Sequence, residues 1–139
     1  MAVYTIKVSP VVQGGENTLV LTPTFCEVDL DPKSPSRIVW VLDEGTDAKF
    51  VLHPTKKIDW EKDPALGIFD DFYHDKAMKI ISIRDNHSGR GKGNLGEWRY
   101  RLTVRQGTLV YKTPTDGSGS HRTESDGGDR GKTPVIINR

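Results

Sequence analysis

Between Gly96 and Val104 the chain alternates without a break. Trp98, Tyr100, Leu102 and Val104 fall on one side, and Arg99, Arg101 and Thr103 on the other. A period of two describes an extended strand with one face in a core and the other in water. A row of large apolar side chains of this kind needs a facing layer, and no stretch of the sequence reads as a convincing long helix to provide it. Ser36 to Leu42 supplies the match. Ile38, Trp40 and Leu42 share one face, Val39 and Val41 the other, so both faces carry apolar groups, as in a central strand. Two such strands suit the facing sheets of a sandwich.

The remaining segments read in the same way. Val3 to Val8 is a first strand ended by Ser9-Pro10, and Gly14-Gly15-Glu16-Asn17 is turn chemistry. Thr18 to Leu21 and Thr24 to Leu30 follow, with Pro23 between them marking an edge or bulge. Ala48 to Leu52 and Ala77 to Ile83 are further strands, and Gln106-Gly107 signals a hairpin into Thr108 to Lys112. His53 to Lys76 keeps neither period and is expected to be a long crossing loop whose aromatics cap the open end of the core. Thr113 to Thr133 has no large apolar residue and reads as a flexible polar linker between a 1–112 domain and a terminal Pro134 to Arg139 strand. About seven short strands plus that terminal strand make an all-β fold, an antiparallel two-sheet β-sandwich of immunoglobulin-like or cupredoxin-like architecture.

The bulk numbers narrow the partners. A chain of 139 residues is most simply one domain, long enough to bury a core without metal or disulfide staples. Lys and Arg total 20 against 19 Asp and Glu, which leaves no electrostatic argument for nucleic acid or an anionic membrane. The single Cys26 has no intrachain partner, no signal-peptide pattern opens the sequence, and no stretch approaches a membrane span. A cytoplasmic protein is the default expectation, and a removed signal would leave no trace.

Cys26 and Trp40 stand at about the spacing of the core cysteine and tryptophan of immunoglobulin domains, but Tyr100-Arg101-Leu102 lacks the second cysteine. A closer likeness covers most of the chain. Ile83-Arg84-Asp85-Asn86-His87, then Gly96-Glu97-Trp98-Arg99-Tyr100, then Pro134-Val135-Ile136-Ile137-Asn138 resembles the bacterial DP-EP family. That resemblance implies a sandwich fold, self-assembly and self-cleavage at an aspartyl-prolyl bond. The family pattern has an Asp before the terminal proline, where this chain has Thr133 before Pro134. An aspartate there would attack its own carbonyl carbon as a tethered nucleophile while a nearby acid protonates the leaving nitrogen. Threonine offers a hydroxyl and no carboxylate. Either the protein cleaves itself before a proline or has lost that activity, or it is a non-catalytic binding or assembly module using its terminal strand on its own sheet or on another copy.

The candidate sites follow from these readings. Two aspartyl-prolyl pairs remain, Asp31-Pro32 and Asp63-Pro64, and both double as ordinary turn starters. Asp63-Pro64 is the better cleavage candidate beside Thr133-Pro134, because its loop also holds Asp59, Glu61, Asp70 and Asp71. Asp70-Asp71 is either a coupled carboxyl pair or solvated charge. Asp85, His87 and Ser88 bring carboxylate, imidazole and hydroxyl to a strand end, and the same cluster also reads as a polar hairpin. His53, His74, His87 and His121 do not form a metal-ligand cluster, and Cys26 comes too early for a cupredoxin-type copper site. Cys26 itself reads as a small buried apolar group. No cofactor is expected, and the only partner expected is another copy of the chain.

Overall fold

The computed structural model describes residues 2–29, 34–86, 96–114 and 132–139. Among these the chain is all strand, without a helix: β1 (Val3–Gln13), β2 (Glu16–Thr22), β3 (Phe25–Val28), β4 (Ser36–Leu42), β5 (Lys49–Val51), β6 (Asp59–Trp60), β7 (Phe69–His74), β8 (Ile80–Asp85), β9 (Gly96–Arg101), β10 (Thr103–Gln106), β11 (Leu109–Lys112) and β12 (Val135–Asn138). They form two packed sheets, an eight-stranded layer in the order β5-β10-β11-β2-β1-β4-β8-β7 and a four-stranded layer in the order β3-β12-β9-β6. The all-β sandwich expected from alternation is the fold observed.

Several details differ from the sequence reading. The sheets are mixed rather than purely antiparallel, because β1 runs parallel to β4, β11 to β2 and β12 to β3. Pro10 does not end β1; the strand continues to Gln13 against β2. Its ladder with β4 stops at Val8 opposite Leu42, so from there β1 has an open side, where proline is tolerated. The segment taken for a crossing loop contributes β6 and β7. Asp71 adopts φ 51° and the β7–β8 register shifts between Asp70 and Tyr73, a bulge that scrambles the alternation. β8 begins at Ile80 rather than Ala77 because the Asp75 carboxylate accepts the Lys79 and Ile80 amides and closes a turn there.

The core lies between the layers. Ile6, Val8, Ile38, Trp40, Leu42, Ile81 and Ile83 of the larger sheet meet Cys26, Val28, Tyr100 and Ile136 of the smaller. Trp40 and Tyr100, both fully buried, cross edge-to-face at 5.3 Å, and the Trp40 indole N–H donates to the Tyr100 hydroxyl at 2.9 Å. That pairing gives the buried indole its obligatory acceptor and joins the two layers at their centre.

Leu102 is where the chain changes layers, since β9 belongs to the small sheet and β10 to the large one. A backbone leaving one ladder for another risks an orphaned amide. Here Thr113 satisfies both groups, its hydroxyl accepting from the Leu102 N–H at 3.0 Å and its own N–H donating to the Leu102 carbonyl at 3.1 Å. Thr113→Val keeps the shape and removes the acceptor. It is expected to lower stability by about 1–3 kcal/mol in urea unfolding, and Thr113→Ser by less.

Candidate functional site

The terminal strand is the unusual element. β12 is short, yet it occupies an interior place in its sheet, parallel to β3 and antiparallel to β9. Ile136 lies between Cys26 and Trp98, and Asn138 between Val28 and Gly96. Beyond the ladder, the Val135 N–H donates to the Thr24 carbonyl, the Arg139 N–H to the Val28 carbonyl and the Tyr100 N–H to the Pro134 carbonyl, each at 3.1 Å. Val135, Ile136, Ile137 and Asn138 are all buried. Three such aliphatic side chains stabilise the seated strand by roughly 5–9 kcal/mol as an upper figure. The Arg139 guanidinium closes the end on Asp29 at 3.0 Å and Glu27 at 3.4 Å.

Alternation puts Asn138 on the same face as Ile136, toward the opposite layer. There its side-chain amide donates to Asp85 Oδ1 at 2.9 Å. Asp85 ends β8 beside Ser36 of β4 and Phe69 of β7, and none of its surface reaches solvent. Burial without a cation pushes its carboxyl from 3.8 up to about 7, against the modest opposing effect of the Asn138 hydrogen bond. Asp85 Oδ2 and Asn138 Oδ1 are both enclosed and both lack a hydrogen-bond partner. The pair therefore ties one sheet to the other through a single polar contact with two unsatisfied oxygens.

The other sequence candidates fall elsewhere. His87 and Ser88 lie outside the described residues, as do His121 and the Asp31-Pro32 pair. Asp70 and Asp71 sit on the outer face of the large sheet. The bulge brings both carboxylates to one side, where Arg84 binds Asp70 at 2.8 and 3.0 Å and Arg37 binds Asp71 at 2.8 Å. Arg84 holds the Asp70 carboxyl below its ordinary range, and each of the two acids is ion-paired with its own arginine. The Asp63 carboxylate is paired with Lys56 at 3.0 Å, and Lys56 also donates to the Trp60 carbonyl, so Asp63-Pro64 belongs to a stapled turn. Thr133 and Pro134 are buried at the start of β12. Thr133 stands five positions before Asn138, roughly 16 Å of extended chain from the Asp85 contact. Cys26 is buried, and its thiol is pushed up to about 12 by burial first and then by Asp85, which leaves it no thiolate for chemistry. Among the described residues no group of three or more His, Cys, Asp or Glu is arranged to hold a metal ion.

Asp85 was visible in the sequence as a strand-end acid, but its partner was not. The available signal was the polar Asn138 ending a β-branched run, two residues after Ile136 and so on its face. A scan against protein-family models matches none, and a search of curated proteins returns no match.

Because Asp85 binds its proton more tightly folded than unfolded, its contribution favours the fold below about pH 4. That contribution is lost as pH rises toward about 7, and levels off above. The full span is about 4 kcal/mol. Urea unfolding between about pH 5 and pH 8 is expected to show this decline. Asp85→Asn, the neutral isostere, is expected to flatten it and to be more stable than the unmodified chain at the alkaline end.

Proposed function

We propose that this protein is a self-assembling β-sandwich module whose terminal strand β12 is the coupling element, seated in its own fold here and exchangeable into a second copy. The observation that carries the reading is the interior position of a strand formed by residues 135–138, far in sequence from both neighbours. Removing it leaves a slot with two unpaired ladder edges, β3 and β9, lined by apolar groups, which is the receptor form used in strand addition. A second copy's β12 makes the same contacts as the chain's own, so exchange costs association entropy and little else. The stretch from Thr113 to Thr133 has a maximum reach of roughly 70 Å, ample to span two molecules.

The likeness to the DP-EP family supports the self-assembling half of this reading. The self-cleaving half asks for a carboxyl at position 133, where this chain has threonine, and the acid that holds its proton near neutrality stands at the far end of β12. Assembly is therefore the reading the geometry favours.

Donor- and acceptor-labelled full-length chains, mixed at high concentration and separated by size, are expected to give dimers and larger species that show energy transfer. Monomers alone at every concentration would overturn the reading. Intact mass followed over days is expected to stay at the full-length value, and a fragment ending at Thr133 would restore the cleavage alternative.

A further inference from the structure

We infer that the β3/β9 slot reads the last residue of the strand it holds: protonated Asp85 recognises a carboxamide at position 138 and makes the seating of β12 depend on that proton. The inference deepens the assembly reading and rests on it for its use.

Donors and acceptors at the Asp85–Asn138 contact match in one protonation state only. An ionised carboxylate only accepts, and a carboxamide has one donating and one accepting end. With Asp85 ionised, Oδ1 takes the Asn138 amide, while Asp85 Oδ2 and Asn138 Oδ1 are left as two enclosed acceptors without a donor. Each such orphan is costly where water cannot reach, and these two residues are 0% and 2% exposed. One proton on Oδ2 changes the count. The acid then has one accepting and one donating oxygen, the complement of the carboxamide fork. Of the residues that fit this volume, asparagine is the one that offers that fork without a second ionisable group. A leucine leaves both carboxyl oxygens unmatched, and an aspartate adds a second buried acid. The same count explains why an apolar run aimed into the core ends in a polar side chain, where a further isoleucine would bury more apolar area.

The surroundings leave the proton on Asp85 uncontested. Asn138 from β12 donates to it, Ser36 of β4 and Phe69 of β7 stand opposite it in the ladders, and Cys26 of β3 is near enough to feel its charge. The thiol stays neutral through the relevant range. Arg84, its neighbour in sequence, points to the opposite face and is bound to Asp70. No described cation sits in position to stabilise the ionised form, so deprotonation leaves a bare charge between the sheets and weakens the hold on β12.

The test uses the full chain in solution. Carboxyl NMR of Asp85 is followed alongside amide exchange of residues 135–138 between about pH 5 and pH 8, corrected for the intrinsic pH dependence of exchange. The opening constant of β12 is expected to rise roughly ten- to a hundredfold across that range, in step with the Asp85 titration. Asp85→Asn is expected to flatten the rise, and Asn138→Asp to open β12 further at the alkaline end. An Asp85 carboxyl titrating in the ordinary range, or protection of β12 that ignores pH, overturns the inference. That measurement on the unmodified chain decides the matter even where Asp85→Asn does not fold. A flat profile with mixed oligomers still forming removes the Asp85 reader alone; pH-dependent opening without mixed oligomers removes exchange between copies alone.

Discussion

Backbone amides and carbonyls inside a sandwich have to be paired, and in the smaller sheet that requirement is met by the last strand of the chain. Without β12, β3 and the β9–β6 pair share no ladder, and the core residues they carry, Cys26, Val28, Tyr100 and Trp60, lose the layer that aligns them. The large sheet joins three hairpins, β1–β2, β7–β8 and β10–β11, through longer-range pairings such as β1–β4, β4–β8 and β11–β2. The small one is built almost wholly from distant segments. Its integrity is therefore a matter of one long-range docking event rather than of local turns. This is why the strongest functional reading of the molecule attaches to residues 134–139 and not to an open cleft.

Three of the acidic positions singled out by the sequence show how much environment decides. Asp70 and Asp71 lie on the wet face of the large sheet, each answered by an arginine, and their charges are screened and satisfied. Asp85 is buried between layers against the Asn138 amide, with no cation, and holds its proton up to neutrality. In the sequence the first two stand out as neighbours and the third as part of a strand-end cluster. Burial favours the third, because desolvation outweighs anything a neutral hydrogen-bond donor returns.

What could be read in advance followed the strength of the periodic signal. Ile38, Trp40 and Leu42, and Tyr100, Leu102 and Val104, are buried as their alternation implies. Where the signal broke, so did the reading. A bulge at Asp71 hid β7, and a proline at an open-sided stretch of β1 mimicked a stop. The uniform alternation from Trp98 to Val104 concealed that the chain changes sheets at Leu102, because both inner faces look into the same core and a crossing leaves the pattern intact. Parallel pairings such as β12 with β3 join residues more than a hundred positions apart and have no local signature. For the same reason Asp85 stood out as a strand-end acid while its contact with Asn138, across 53 positions, did not.

Gly96 opens the β9 edge of the slot. It adopts φ +133°, opposite Asn138, and the Trp98 indole lies 3.6 Å from where a Cβ would project. The ring would meet that Cβ at ordinary contact distance, so it is the dihedral that calls for glycine. The mechanical consequence concerns tension. β12 is gripped along both edges, so a pull on the chain through Thr133 loads its ladder bonds side by side, in shear, and they yield as a set rather than unzipping singly. Copies joined through this strand would form a fibre whose links hold under steady load and let go by a change in chemistry.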